Sequence, residues 1–385
     1  MRDAVIVQAV RTPIGKGKPD GALAGVHPVE LLAHTLRTLV ERSGVDPALV
    51  DDVIGGTVDQ VGEQAMNTTR YAWLSAGFPD SVPAVTVDRQ CGSSQQAVHF
   101  AAQGVIAGAY DLVVACGVES MSRVPMWSNV PPGKDPFGPG MAGRFPGGLV
   151  PQGISAELIA AKWSLGRERM DAFSAASHAK AAAADFSAEL APVAGLAHDE
   201  SVRPATTSEI LAGLKPAFAG PGYAERFPQI EWSVTAGNSS PINDGAAALL
   251  ITTSENAARL GLRPLARLHS FAVTGSDPLL MLTGVIPATG KVLRRAGLRL
   301  DDIDLFEVNE AFASVVLAWQ QETGADLAKV NVKGGAIALG HPLGASGARI
   351  MTTLVGAMRE RGARYALQTM CEAGGLANAT ILEAL

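Results

Sequence analysis

The sequence predicts an α/β protein made of two similar halves with a separate segment inserted between them. Three observations predict it. Short Val/Ile runs ending at Gly or Pro alternate with segments of helical period, the signature of strands interleaved with helices. A pattern in the first 120 residues reappears after residue 285. Between them, residues from about 119 to 243 are rich in Pro and Gly, above all Pro125–Pro151.

Strands are expected at Ala4–Ala9, Asp52–Thr57, Ala84–Val87, Leu112–Ala115, Ile303–Val308 and Tyr365–Met370. Helices are expected at Pro28–Ser43, Gly92–Ala107, Ile154–Lys162, Arg167–Asp185, Ala288–Ala296, Ala311–Thr323 and Ala345–Arg361. The repeat pairs Arg42-Ser43-Gly44 and Asp51-Asp52-Val53 with Arg295-Ala296-Gly297 and Asp301-Asp302-Ile303. In each half a glycine-bearing turn then opens a helix of small residues, and that helix leads to a strand expected to end at a cysteine, Cys116 or Cys371. The stretch 119–243 is too long for a plain loop. Gly245–Thr252 regains strand character and returns to the first half.

The chain has 385 residues, 47% of them hydrophobic and 18% charged, enough for a large core and two or three domains. A net charge of -6 with no basic block gives no reason to expect nucleic acid. No apolar run approaches the roughly 18 residues of a membrane span, and no targeting signal is visible. Three cysteines, an odd number, argue against a disulfide framework and for a reducing cytoplasm.

Two of those cysteines and one histidine carry the chemistry. Cys91 follows a strand, opens a helix and is flanked by Gly92, Ser93 and Ser94. Unpaired N–H groups and the positive dipole end of a helix favour a thiolate there. The same residue also reads as a buried structural cysteine. His341 lies in a run with five glycines between Gly334 and Gly347, suited to close backbone approach to a ligand. It can act as a base or as an oxyanion donor, or merely cap a helix. Cys371 precedes Glu372-Ala373-Gly374-Gly375, a turn whose N–H groups can hold an oxyanion. It is a second acid/base candidate or a plain strand-end cysteine. Asn309-Glu310 opens the helix at Ala311–Thr323, as cap and first-turn acid or as the holder of a water beside His341. No zinc spacing, His-Glu-x-x-His, Cys-x-x-Cys or phosphate-loop Gly-Lys-Ser/Thr is present, so no metal is expected.

Four motifs in order resemble the thiolases, which cleave or form 3-ketoacyl-CoA esters. They are Cys91-Gly92-Ser93-Ser94-Gln95-Gln96-Ala97, Asn309-Glu310-Ala311-Phe312, Gly340-His341-Pro342-Leu343-Gly344-Ala345-Ser346-Gly347-Ala348-Arg349, and Cys371-Glu372-Ala373-Gly374-Gly375. Thr235-Ala236-Gly237-Asn238 to Gly245 and Gly117 to Ser122 extend the resemblance along the chain. It implies duplicated βαβαβαββ halves in a five-layer αβαβα sandwich. The N-terminal half would be 1–118 plus 244–265, a CoA-covering loop domain 119–243, and the C-terminal half 266–385. It implies Cys91 as nucleophile, His341 as base, Cys371 as acid/base, and Asn309 as holder of a water. The oxyanion donors would be the N–H groups of Cys91 and Ala373, with His341 serving the enolate. Ser240, Arg203, Phe218, Met281 and Phe312 would contact CoA or substrate. CoA would be a substrate rather than a bound cofactor, and the chain would form a homodimer or homotetramer.

Two positions depart from the family pattern. Ser94 replaces a usual glycine and is expected to narrow the pocket. Ala373 replaces the first of three glycines and keeps its oxyanion N–H only if its φ is negative. Gln152 stands where biosynthetic members have methionine, which favours thiolytic cleavage in β-oxidation over condensation of two acetyl-CoA. A decarboxylating condensing enzyme would carry His or Asn in place of Cys371. A catalytically impaired acyl-CoA-binding protein is the remaining alternative.

Overall fold

The structure, a computed structural model, describes residues 2–385. Its first half runs β1 (Val5–Arg11), β2 (Gly15–Lys16), α1 (Pro28–Ser43), β3 (Asp52–Gly56), α2 (Thr68–Ser75), β4 (Ala84–Val87), α3 (Ser93–Ala107) and β5 (Leu112–Ser120). The insert supplies α4 (Pro139–Arg144), α5 (Gln152–Lys162), α6 (Arg167–Ala183), α7 (Ser208–Ala212) and α8 (Pro221–Arg226). The chain returns in β6 (Asn243–Thr252), followed by α9 (Ser254–Arg259). The second half holds β7 (Ala266–Gly275), α10 (Val285–Ala296), β8 (Leu305–Val308), α11 (Ala313–Thr323), α12 (Ala336–Leu339), α13 (Ser346–Arg361), β9 (Tyr365–Glu372) and β10 (Leu376–Glu383).

The hydrogen-bonded strand order is β4-β3-β5-β6-β1-β7-β10-β9-β8, with β2 on β6. Read outward from the middle, the first half gives β1-β6-β5-β3-β4 and the second β7-β10-β9-β8. A parallel bridge from Phe306 to Val330 stands where the second half's fifth strand would lie. The duplication is therefore real at the level of topology. A short antiparallel contact, Val5 with Arg267 and Ile6 with Ala266, joins the half-sheets into one hydrogen-bonded sheet.

Strand alternation builds the layers. In β5, Leu112, Val114, Cys116 and Val118 point to a core shared with α1 and α2, while Val113 and Ala115 point to a core shared with α3 and α13. A third core places α10 and α11 on the far face of the second half-sheet. The succession is helix, sheet, paired central helices, sheet, helix.

Cys116 does not end its strand. β5 continues to Ser120 because β6 pairs with it from Leu112–Thr252 to Ser120–Asp244. Cys116 is fully buried against the α1 face, and burial raises its thiol far above the ordinary value. That ladder also fixes the insert, whose ends leave and return through neighbouring strands. α11 begins at Ala313 with Phe312 as its N-cap, so Asn309 is not the cap of that helix.

Candidate active site

Cys91 lies in the turn between β4 and α3 and is 4% exposed. The preceding residue, Gln90, has φ of 50°, a left-handed conformation uncommon outside glycine. Its sharp bend sets the cysteine at the helix entrance. Burial, followed by the Glu372 charge, pushes the thiol up to about 12, and the Gln152 side-chain amide pulls less strongly downward. The expected dipole stabilisation of a resting thiolate is thus outweighed, and the sulfur needs a base at the moment of reaction.

His341 can be that base, and its hydrogen bonds assign its tautomer. Ser346 Oγ donates its one proton to the Pro342 carbonyl at 2.9 Å, and lies 2.6 Å from His341 Nδ1. Nδ1 must therefore carry hydrogen and donate to Ser346. Nε2 is left unprotonated, 3.5 Å from the Asn309 amide nitrogen. Burial, with the Arg349 charge, lowers the imidazole to about 3, so it is neutral at rest. The backbone is pinned as well, the His341 N–H donating to Asn243 Oδ1 at 3.0 Å. Gly344 N–H donates to Glu119 Oε2 at 2.8 Å, tying the same loop to the end of β5.

Asn309 is 1% exposed and follows β8, where its N–H donates to the Thr369 carbonyl at 3.1 Å. Its Oδ1 has no hydrogen-bond partner among the described residues. Its neighbour Glu310 is absorbed in structure, accepting from Ser177, Asn331 and the Ile337 N–H.

Cys371 lies near the end of β9 and is 1% exposed. Burial raises its thiol well above the ordinary value, and the charges of Cys91 and Glu372 add to this. The next residues turn the β9–β10 hairpin. Gly374 and Gly375 take φ of 81° and 78°, whereas Ala373 is not among the residues of positive φ. Alanine is therefore compatible with the turn, and its N–H is retained. Among the described residues, no protein acceptor takes the N–H of Cys91 or of Ala373. Glu372 is fully buried beneath the Cys91 turn, where a methyl group on Gly92 would lie 1.9 Å from Glu372 Oε1.

Two adjoining spaces meet here. One, of about 400 Å³, is lined by Cys91, Ala373, Met281, Gln152 and Leu343. The other, of about 300 Å³, is lined by His341, Phe312, Phe218, Ser240, Gln152 and Leu343. Phe218 and Phe312 meet edge to face at 6.1 Å. Cys91, Ala373 and Met281 thus share one space, His341, Phe312, Phe218 and Ser240 line the adjoining one, Asn309 lies beside His341, and Asn309 and Cys371 line neither. Arg203 is exposed, donates its backbone N–H to His178 Nδ1, and lines neither space.

Ser94 does not narrow the pocket. Its hydroxyl accepts from the Ala348 N–H at 2.9 Å, in the first turn of α13, and it lines neither space. Three positions with a bearing on the site went unrecognised in the sequence: Ser346, Asn243 and Glu119. Ser346 and its fixed offset from His341 were visible there, but the other two come from distant segments. Among the described residues, no cluster of three His, Cys, Asp or Glu is placed to hold a metal.

These features define an acyl-transferring thiol enzyme with two cysteines and a histidine. Residues 4–255 match the family described as Thiolase, N-terminal domain, and residues 262–384 match Thiolase, C-terminal domain. The chain belongs to the thiolase family. It is 47% identical to the steroid 3-ketoacyl-CoA thiolase FadA6 of Mycobacterium tuberculosis, over 100% of this chain and 95% of the relative. It is 42% identical to a 3-ketoacyl-CoA thiolase of Salmonella typhimurium, over 100% of both. The crystal structure of human mitochondrial 3-ketoacyl-CoA thiolase in complex with CoA superposes with a TM-score of 0.89 at 35% identity, covering 100% of this chain and 98% of the other.

Proposed function

We propose that this thiolase catalyses CoA-dependent cleavage of a 3-ketoacyl-CoA to acetyl-CoA and a shortened acyl-CoA, as in β-oxidation. The observation that carries the reading is the neutral His341, its Nε2 free, lining a space that shares Gln152 and Leu343 with the Cys91 cavity.

The thiol proton of Cys91 passes to His341 Nε2 as the sulfur attacks the 3-keto carbon. The Cys91 and Ala373 N–H groups hold the resulting oxyanion. The bond between carbons 2 and 3 breaks, leaving an acyl-Cys91 thioester and the enolate of acetyl-CoA. Cys371 protonates carbon 2 of that enolate, whose oxygen faces His341 and a water held by Asn309. A second CoA then loses its thiol proton to Cys371 and attacks the thioester. The Cys91 sulfur leaves and regains its proton from His341. No proton is gained or lost over the cycle. Run backwards with two acetyl-CoA, the same steps give condensation. The cavity beside Cys91 favours cleavage of longer acyl groups, since an acetyl group needs little of its volume.

The insert, 119–243, serves as the CoA cover, with Ser240 and Phe218 along the pantetheine arm and Arg203 outward, towards the nucleotide end. A homodimer or homotetramer in the cytoplasm completes the reading, with the outermost strand β4 and its exposed Val85 suited to self-association. Among the described residues, no helix is long and apolar enough to cross a membrane.

Cys91→Ser tests the scheme. Mass spectrometry after mixing with acyl-CoA is expected to show an adduct on Cys91 of the wild type and none on the variant. Thiolysis should fall at least about 10³-fold. Undiminished thiolysis by the variant would refute covalent catalysis at Cys91.

A further inference from the structure

A second polar cluster lies behind the His341 loop, and the reaction scheme leaves it unused. Arg349 stands in the first turns of α13, three residues after Ser346, and is fully buried. None of its guanidinium nitrogens, Nε, Nη1 or Nη2, has a hydrogen-bond partner among the described residues. Burial works against its charge, and the charges that act on it are Glu307 first, then Arg11, Asp199 and Glu189. Two of those acids are already engaged. Arg11 donates to both Glu189 and Asp199, at 2.6 to 2.9 Å, and the Thr353 hydroxyl donates to Glu189. Glu307 remains, and its Oε1 has no partner among the described residues.

Glu307 and Gln368 are register partners on β8 and β9. Leu305 and Ala366, two residues before them, pack into the core shared with α13. By strand alternation Glu307 and Gln368 are directed to the same side. Gln368 Nε2 donates to the Gly347 carbonyl of α13 at 2.9 Å, and its Oε1 has no partner among the described residues. One buried corner thus holds three unpartnered donor nitrogens and two unpartnered acceptor oxygens, too far apart to bond directly. Buried polar groups left unpaired are costly, and internal waters making about three hydrogen bonds each are the usual remedy.

We propose that Arg349 is a positioning residue for His341, its guanidinium joined by internal waters to Glu307 and Gln368. This rests on the thiolase reading and adds a residue behind its base. The link runs through the start of α13. Gln368 holds the Gly347 carbonyl, the waters hold Arg349, and Ser346 beside them holds Nδ1 of His341. Burial, and then the Arg349 charge, also oppose protonation of the imidazole. Once His341 has taken the Cys91 proton, the same charge favours its return to the departing sulfur.

The first test needs no variant. A high-resolution crystal structure of the whole enzyme should show ordered waters within hydrogen-bond distance of Arg349 and of Glu307 or Gln368. A guanidinium paired directly with Glu307, with no water between, overturns the proposal. The second test is kinetic, with acetoacetyl-CoA and CoA. Arg349→Met should lower kcat at least about tenfold and move either KM less than about twofold. Arg349→Lys, which keeps the charge but fewer hydrogen bonds, should lie between that variant and the wild type. In a His341→Ala background, Arg349→Met should cost less than about twofold more, because a residue acting through His341 has nothing left to act on. A further tenfold loss there overturns the proposal, and so does an unchanged kcat in Arg349→Met alone. If Arg349→Met fails to fold, Arg349→Lys with and without His341→Ala carries the same comparison. A wild type without thiolysis of acetoacetyl-CoA overturns the thiolase reading instead, and the diffraction result still decides the waters.

Discussion

At the scale of single residues, the hydroxyl of Ser346 does much to make His341 useful. It accepts from Nδ1 and donates to the Pro342 carbonyl, so the free lone pair must sit on Nε2. Ser346→Ala removes this constraint without charging the site. We expect kcat to fall by about 10- to 100-fold, within the contribution of a well-placed general base, with little change in KM. Steady-state kinetics checks this, and an unaltered kcat would remove Ser346 from the mechanism. The sequence exposed the four catalytic candidates because glycine-rich turns surround them. It did not expose the ionisation states. Cys91 looked ready to ionise at a helix entrance, yet burial and Glu372 hold it as a thiol. Burial is a property of the packed molecule, and a local motif does not report it.

Among the elements, those with strong local signals were legible. α1 was readable to the residue, from Pro28 at its first turn to Gly44, whose φ of 69° closes it. β7 and β10 were not. β10 reads Leu-Ala-Asn-Ala-Thr-Ile-Leu-Glu, with few strand-favouring residues, and is held by pairing on both sides with β7 and β9. β7 alternates buried and partly exposed positions, with Arg267 and His269 among the latter. α13 shows how the halves depend on each other. Its first turn leaves the Ala348 N–H unpaired within the helix, and Ser94 of α3 accepts it. Ser94→Ala should therefore lower stability by about 0.5–2 kcal/mol, as loss of a helix cap does. Chemical denaturation measures it, and unchanged stability would make the contact incidental. A glycine at this position would have no hydroxyl to offer, so Ser94 has a structural use.

Over the whole molecule, buried ionisable groups set how stability varies with pH. Burial raises Glu119 to about 7 and Glu307 to about 8, from an ordinary 4.5. Both bind their protons more tightly folded than unfolded. Their contribution is complete below about pH 4.5 and is lost as pH rises through 7 and 8. Burial lowers His99 and His341 to about 3 and His178 to about 4. Their contribution is present above about 6.5 and is lost as pH falls toward those values. The two sets oppose each other between 4.5 and 6.5, and above 6.5 these carboxyls act without opposition from the histidines. Tm is therefore expected to decline from pH 6.5 to 8.5, and Glu307→Gln should flatten that decline. Equal slopes in thermal melts of variant and wild type would contradict this. The tertiary pairing of the halves was legible in the sequence as a repeated motif order, but their edge-to-edge seam at Val5 and Ile6 was not, since it rests on two residue pairs. The insert has a consequence of another kind. It leaves β5 at Ser120 and re-enters β6 at Asn243, beside its own point of departure. Both ends of the insert are therefore held by one antiparallel pair, so a stretch of more than a hundred residues starts and finishes at a single point of the sheet.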